Sequence, residues 1–180
     1  ISKKCIDFFV DKNLIYESKG YHNIVFKGKD ENGITRFASM RGVYDKNGYV
    51  FKCDVKGNDK NYGFNFVNDK SDELEVFEGA IDLLSYCDIY DDYKTNKLAL
   101  GMIADAPLET FLKENQNIRI IRLCLDNDGP GRVASSVLKD KYESRGYKVI
   151  DLPPPKAYKD YNDWIKSLRS KKTITMEKYR

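Results

Sequence analysis

Two short apolar runs, each ending in acidic residues that lead into a glycine and a helical pattern, constrain the fold of this chain most. The first run leads into Glu78-Gly79-Ala80-Ile81-Asp82, and the second into Asp126-Asn127-Asp128-Gly129-Pro130-Gly131. Apolar runs of this length between turn signals predict buried strands. Residues just past a parallel strand lie at the carboxyl edge of the sheet, where α/β proteins place their sites. We therefore expect Glu78, Asp126 and Asp128 to lie close together.

Three carboxylates in one place repel one another and shift each other's pKa unless a cation neutralises them. A cluster of oxygen ligands suits Mg²⁺ or Mn²⁺, which keep several waters and bind phosphate oxygens. The pattern therefore indicates metal-dependent chemistry on phosphodiesters or nucleotides.

Each half also has a structural alternative. Glu78 and Asp82 are compatible with an exposed helix N-terminus, where the helix dipole favours acids. The run Asp126-Asn127-Asp128-Gly129 is compatible with a polar turn. The functional interpretation is favoured because both alternatives would have to occur at the ends of two apolar strands, in this order.

Composition limits the class of protein. The 180 residues can form one domain, or a core domain with a small appended one. With 31 basic and 28 acidic residues, any nucleic-acid footprint must be a local patch. No apolar stretch approaches the roughly 18 to 20 residues of a membrane span, so no membrane partner is expected. Since the chain starts at Ile1 without a signal peptide, we expect a piece of a longer protein.

The cysteine and histidine content argues against a zinc site within the chain. The four cysteines are scattered without a Cys-x-x-Cys pair, and His22 is the single histidine. Unpaired cysteines on apolar patterns are typical of a reduced compartment, which predicts a cytoplasmic protein.

The first 70 residues predict a small α+β module. A helix is expected from Ser2 to Leu14, with Ser2 as its N-cap. From about residue 20 to 67 the period changes to alternation typical of antiparallel strands, with hairpin turns at Asn32-Gly33 and Asn47-Gly48.

After a polar break, strands alternate with helices, which predicts a mainly parallel sheet flanked by helices. The predicted strands are Leu74–Phe77, Leu98–Gly101, Ile118–Leu125 and Lys148–Leu152, and the predicted helices are Ile81–Tyr90, Pro107–Lys113 and Val133–Arg145. A proline spacer then leads to a last short helix and a basic tail. The fold class is therefore α/β, with domains expected at 1–70, 71–168 and 169–180.

The two acidic motifs, in this order, resemble those of a Toprim domain, the fold shared by bacterial DnaG-type primases, topoisomerases and some nucleases. Lys159-Asp160-Tyr161-Asn162-Asp163 resembles the Lys-Asp-Pro-Asp-Glu element near the end of primase Toprim domains. The resemblance covers about residues 72–168. It implies catalytic, metal-binding roles for Glu78, Asp126 and Asp128, and auxiliary metal-binding carboxylates at Asp82 and Asp160.

One position departs from the family pattern. The second acid of the last element is Asn162 here, with Asp163 next along the chain. This substitution weakens the case for a third, fully acidic metal position.

The upstream module is similar to the primase catalytic core, and the whole chain resembles primase-like Toprim proteins of Gram-positive plasmids and conjugative elements. The resemblance implies that Arg41, Lys60 and Lys159 bind nucleotide or template phosphates. Cations are suitable phosphate ligands beside a carboxylate site. For Arg41 and for Lys60, an exposed surface cation without a binding role is an equally good interpretation of the sequence.

Three functions follow as hypotheses. The first is a DNA primase-like nucleotidyltransferase acting in the replication of mobile DNA, with Mg²⁺ or Mn²⁺ as cofactor. Its partners would be a single-stranded DNA template, nucleoside triphosphates and a replicative helicase that binds parts of the protein outside this chain. The second is a Toprim nuclease, and the third a non-catalytic nucleic-acid-binding accessory module. The strand-rich module favours a primase over a nuclease, and the three central acids favour an enzyme over a binding module.

Overall fold

The computed structural model describes residues 1–46, 49–102 and 104–177, which form two β-sheets and five helices. The strands are β1 (Ile15–Glu17), β2 (Ile24–Lys29), β3 (Thr35–Lys46), β4 (Tyr49–Asp54), β5 (Phe64–Phe66), β6 (Glu73–Phe77), β7 (Asn96–Ala99), β8 (Ile120–Leu123) and β9 (Lys148–Asp151). The helices are α1 (Lys3–Asp11), α2 (Ala80–Tyr90), α3 (Ala106–Glu114), α4 (Gly129–Glu143) and α5 (Tyr161–Glu177). The predicted α/β class, a mainly parallel sheet with helices preceded by a strand-rich module, is confirmed.

The first sheet is antiparallel and has the order β1-β2-β3-β4. The predicted turn at Asn32-Gly33 connects β2 to β3. Gly33 has φ of +76° and donates its N–H to the carbonyl oxygen of Asp30 at 2.9 Å, a conformation that favours glycine. The predicted turn at Asn47-Gly48 lies outside the described residues.

The second sheet has the order β5-β7-β6-β8-β9, with all neighbours parallel except β5, which is antiparallel to β7. The alternation at Tyr62–Phe66 predicts a strand of the antiparallel module. This prediction is wrong, because the strand there, β5, pairs with β7 in the second sheet. Asn65 is buried rather than solvent-facing, because its side chain exchanges two hydrogen bonds with the backbone of Lys29, at 3.0 and 2.8 Å. These bonds join β5 to β2 of the other sheet.

Helices cover both faces of the parallel sheet and divide the hydrophobic core in two. One cluster joins α1, α2 and the start of α5 to the antiparallel sheet and includes Phe9, Phe26, Phe77, Leu84 and Tyr161. The other lies under α3 and α4 and includes Leu74, Leu108, Ile121, Leu138 and Tyr142. Since β6 contributes to both clusters, its carboxyl end is held from both sides.

The terminal helices differ in length from their predictions. Ser2 caps α1 by accepting a hydrogen bond from the Cys5 N–H at 3.2 Å, as predicted, but α1 ends at Asp11 rather than Leu14. Asn13, with φ of +55°, turns the chain there. The last helix is not short, since α5 runs through Glu177. In the described parts of the chain, no helix combines the length and apolar content needed to cross a bilayer.

A buried ion pair lies between the central strands of the parallel sheet. The Nζ atom of Lys97, a fully buried residue of β7, donates to Glu75 of β6 at 2.5 Å and to Asp92 at 2.8 Å. The Tyr86 hydroxyl donates to the second Glu75 oxygen at 2.7 Å. Buried charges are tolerated when paired and hydrogen-bonded in this way.

The two sheets approach each other through glycines. A Cβ atom on Gly28 of β2 would lie 2.0 Å from the Gly63 carbonyl oxygen, and a Cβ atom on Gly63 would lie 2.1 Å from the Ala99 carbonyl oxygen. No side chain fits at either distance, so this contact requires glycine at both positions. The contact fixes one face of the antiparallel sheet against the carboxyl edge of the parallel sheet.

Gly63→Ala should therefore destabilise the protein by about 3 kcal/mol, because the new methyl group must displace backbone atoms of β7. Urea unfolding followed by circular dichroism would measure the change. Gly129→Ala is the control, since nothing lies within 4 Å of its added Cβ atom. Equal stabilities for Gly63→Ala and Gly129→Ala would contradict the close approach of the two sheets.

Candidate functional site: an acidic cleft between the two sheets

A cleft of about 480 Å³ lies between the antiparallel sheet and the carboxyl edge of the parallel sheet. Its lining from the antiparallel sheet includes Phe37, Ser39, Arg41, Lys52 and Asp54, and its lining from the other side includes Glu78, Asp82, Asp126, Lys159, Asp160 and Asn162. Six of the eight residues that the sequence assigned to a site thus line one cleft. The exceptions are Asp128, which lies beside Lys159, and Lys60.

Glu78 follows β6 directly and precedes the first turn of α2. Its backbone carbonyl accepts the Gly101 N–H at 3.0 Å, which fixes the residue beside the next strand. Burial raises the pKa of the Glu78 carboxyl, and the negative charge of Asp128 raises it further. Its Oε2 atom is buried without a hydrogen-bond partner, which is energetically unfavourable for a carboxylate oxygen.

Asp126 lies just beyond β8 and is buried. Helix α4 packs tightly behind it, because Gly131 leaves room for the Asp126 carbonyl oxygen, which a Cβ atom there would approach to 2.4 Å. Arg132 Nε donates to the same carbonyl oxygen at 2.9 Å. Burial raises the pKa of the Asp126 carboxyl to about 7, and Asp82 and Glu78 raise it as neighbouring negative charges.

The other predicted carboxylates also hold local structure. Asp128 is the N-cap of α4, and its hydrogen bond from the Gly131 N–H, at 2.9 Å, lowers its pKa. Asp160 accepts the Asp163 N–H at 2.7 Å at the start of α5. Asp82 accepts the Asn162 N–H at 3.2 Å, while burial, followed by the charge of Asp160, raises its pKa to about 6.

Lys159 is brought to the acidic turn by Asn127, a residue that the sequence analysis did not single out. The Asn127 N–H donates to the Lys159 carbonyl oxygen at 2.7 Å, and its side-chain amide donates to Pro154 and Tyr158. The Lys159 ammonium lies 3.3 Å from Asp128 Oδ2. No sequence signal marked Asn127, because its partners lie about 30 residues away and are backbone atoms.

The cations of the antiparallel sheet are placed differently from one another. Arg41 lines the cleft and opposes the rise in the pKa of Asp82. Lys60 pairs instead with Asp54 and does not line the cleft. Lys52 does line it, because it is directly opposite Arg41 in the β3–β4 pair and so shares its face. No spacing along the chain marks Lys52, because its place opposite Arg41 depends on the register of β3 and β4.

The donor set of the cleft suits a divalent cation, although the side chains are not arranged around one. Among the described residues, no three His, Cys, Asp or Glu side chains form a ready metal-binding group. The cleft nevertheless offers only carboxylate oxygens as anionic donors, which Mg²⁺ and Mn²⁺ prefer. The Glu78 oxygen has no hydrogen-bond partner, and neighbouring carboxylates add to burial in raising the pKa values of Glu78 and Asp126; a cation would neutralise this negative charge.

Comparisons with protein families match both parts of the chain. A model described as Toprim-like matches residues 75–165, and a model described as a protein of unknown function (DUF3991) matches residues 1–71. An uncharacterized protein of Bacillus anthracis is 28% identical over 178 residues, covering 91% of this chain and 52% of the relative. The chain therefore spans about half the length of that curated relative.

Solved primase structures share the fold. The primase fragment of the bacteriophage T7 primase-helicase protein is 22% identical, with a TM-score of 0.58 over 91% of this chain and 64% of its own. A DNA primase domain from Pseudomonas aeruginosa is 16% identical, with a TM-score of 0.56 over 93% of this chain and 56% of its own. A DnaG primase catalytic domain bound to single-stranded DNA is 15% identical, with a TM-score of 0.55, over 98% and 59%. At these identities the likeness establishes the fold.

Asp126→Asn should stabilise the metal-free protein at high pH. The folded-state pKa of Asp126 is about 7 against an ordinary 3.8, so the folded protein retains a proton that the unfolded chain releases near pH 4. This contribution to stability is full below about pH 4 and is lost as pH rises through 7. In the presence of EDTA, we expect the variant to gain about 1–3 kcal/mol over wild type at pH 8, shrinking towards pH 4.

Thermal or urea unfolding between pH 4 and 8 would measure this gain. Asp128→Asn is the matched control, because Asp128 has a lowered pKa and asparagine also caps helices. A gain for Asp126→Asn that does not change with pH would show that burial and the neighbouring charges do not raise the pKa of this carboxyl.

Proposed function

We propose, from the premise that this chain belongs to the Toprim-like family, that it is the catalytic part of a primase-like nucleotidyltransferase acting in DNA replication. The observation that carries the proposal is the meeting of Glu78, Asp126 and Lys159 with Arg41 and Lys52 in one cleft. Carboxylates and cations that face each other across a cleft suit a reaction between a triphosphate and a polyanionic strand.

The reaction is the attack of a 3′-hydroxyl on the α-phosphate of a nucleoside triphosphate, which forms a phosphodiester and releases pyrophosphate. Glu78, Asp126 and Asp128 would hold Mg²⁺ or Mn²⁺, with Asp82 and Asp160 as auxiliary carboxylates. When bound, the metal would activate the hydroxyl and neutralise the triphosphate. Asp82 and Asp160 also orient the start of α5, and with it Asn162, towards the cleft.

The cations of the cleft are proposed to contact phosphates. Arg41 and Lys52 form a positive pair on neighbouring strands, which suits the backbone of a single-stranded DNA template. Lys159 would contact the nucleotide. Lys60, held by Asp54, remains a predicted phosphate ligand at the margin of the same face.

The domain boundaries fit these roles as a proposal. Residues 1–70 would form the template platform, except that β5 joins the sheet of the catalytic domain at residues 71–168, with 169–180 as a basic tail. The proposal includes a cytoplasmic location and a role in the replication of mobile DNA. It also includes a replicative helicase as a partner, which would bind parts of a longer protein outside this chain. The fold shared with primase cores across both modules supports a primase over a nuclease.

Primer synthesis on single-stranded DNA with Mg²⁺ or Mn²⁺ tests the reaction, using the longest protein that contains this chain. Glu78→Gln, Asp126→Asn and Asp128→Asn should each lower synthesis by at least roughly 100-fold, because each removes a proposed metal ligand and even outer-shell changes at metal sites cost 10–100-fold. Asp140→Asn, an exposed residue of α4 outside the cleft, is the control.

A labelled oligonucleotide in the same reactions separates the alternatives. Metal-dependent degradation without synthesis would replace the proposal with a Toprim nuclease. Binding of single-stranded DNA with neither activity would indicate the accessory module.

Arg41→Glu and Lys52→Glu should each weaken the binding of single-stranded DNA and reduce its dependence on salt. The logarithmic salt slope should fall by about one for each phosphate that the protein no longer neutralises. Fluorescence anisotropy at several salt concentrations would measure this. Lys148→Glu, an exposed residue of β9 on the other sheet, makes the same charge change as a control. Equal effects of all three substitutions would mean that net charge, not the cleft face, governs binding.

A further inference from the structure

The ammonium group of Lys159 lies between the two aspartates of the acidic turn. Its Nζ atom is 3.7 Å from Asp126 Oδ2 and 3.3 Å from Asp128 Oδ2. The Asp126 side chain is only 10% exposed, so the lysine is a close counter-charge for a carboxylate that water solvates poorly.

The backbone of Lys159 is held by hydrogen bonds, whereas its side chain is more than half exposed. The Asn127 N–H holds the Lys159 carbonyl oxygen at 2.7 Å, and the Asn127 side chain holds the neighbouring loop carbonyl at Tyr158 at 3.0 Å. In contrast, the Lys159 side chain is 57% exposed on a flexible four-carbon stem. The ammonium can therefore leave the aspartates without disturbing the loop.

The single charge of Lys159 does not balance the carboxylates on its own side of the cleft, opposite Arg41 and Lys52. Glu78, Asp82 and Asp160 lie beside the aspartate pair, and one Glu78 oxygen is buried without a partner. A divalent cation brings more charge and takes several oxygen ligands at once, whereas the ammonium reaches two carboxylates at over 3 Å. A metal and the ammonium would compete for the same two aspartates.

We propose that Lys159 is an internal counter-ion that occupies the Asp126–Asp128 pair in the metal-free protein, is displaced by a divalent cation, and then contacts the phosphates of the nucleotide. The inference rests on the proposed function for the metal site and for the contact with the nucleotide. Lys159 thus neutralises the two aspartates before metal binding and acts as a phosphate ligand afterwards. It also raises the metal concentration that the site requires.

Mn²⁺ binding without nucleotide or DNA tests the competition. Lys159→Met should bind Mn²⁺ roughly tenfold more tightly than wild type, since a unit charge a few ångströms from the metal is removed. Lys159→Arg should bind as wild type does, and Lys156→Met, at an exposed lysine of the same loop, should change affinity less than twofold. Electron paramagnetic resonance of free Mn²⁺ gives these affinities. Unchanged or weaker binding by Lys159→Met would overturn the proposal.

Thermal unfolding gives a second measurement. In EDTA, Lys159→Met should melt below wild type because the aspartates lose their counter-charge, and saturating Mn²⁺ should raise its melting temperature by more than it raises that of wild type. Lys159→Gln is the second neutral variant if the methionine variant does not fold. If Mn²⁺ raises the melting temperatures of Lys159→Met and wild type equally, the counter-ion proposal is also overturned.

Primer synthesis separates this inference from the proposed function. For Lys159→Met, tighter Mn²⁺ binding should accompany a raised KM for the nucleotide, two opposite effects that a merely structural lysine would not produce. Tighter Mn²⁺ binding in a protein whose wild type makes no primer would support the counter-ion and refute the polymerase. Primer synthesis by wild type, with the same Mn²⁺ affinity in wild type and in Lys159→Met, would support the polymerase and refute the counter-ion.

Discussion

The parallel pairing of β6 with β8 is the constraint on which the acidic cleft depends. Val76 is paired with Leu123, so the two strands end at the same edge of the sheet, and the residues that follow them must share one small region. The sequence places Glu78 after one strand and Asp126 after the other. Like charges therefore meet here because of hydrogen bonding between strands that lie more than 40 residues apart in sequence, despite their mutual repulsion.

The surrounding structure offsets that repulsion in several local ways. Backbone N–H groups at the starts of α4 and α5 bind Asp128 and Asp160, and the ammonium of Lys159 lies against the turn. The buried ion pair of Lys97 with Glu75 joins β7 to β6 below the cleft and so holds β6 in place. What these contacts leave uncompensated is concentrated at Glu78, Asp82 and Asp126, whose pKa values are raised. This remainder is the part of the site suited to a cation.

The position of the antiparallel sheet explains which basic residues belong to the cleft. Backbone contact at Gly28 and Gly63 brings one face of that sheet against the acidic edge. Strand pairing then puts Arg41 and Lys52 on that face, while Lys60, in the loop beyond β4, pairs with Asp54. Spacing along the chain could not distinguish Lys52 from Lys60, because that difference depends on strand register.

The sequence by itself determined the alternation of strands and helices, the hairpin at Asn32-Gly33 and the identity of the acids at the strand ends, because these follow from local periodicity and turn chemistry. Tertiary structure alone decided that β5 pairs with β7 in the second sheet, and that the buried side chain of Asn65 ties it back to Lys29 of β2. It also decided that Asn127 carries Lys159 to the acidic turn. In both cases an asparagine bonds to backbone atoms distant in sequence, and an amide side chain gives no periodic signal of its partner.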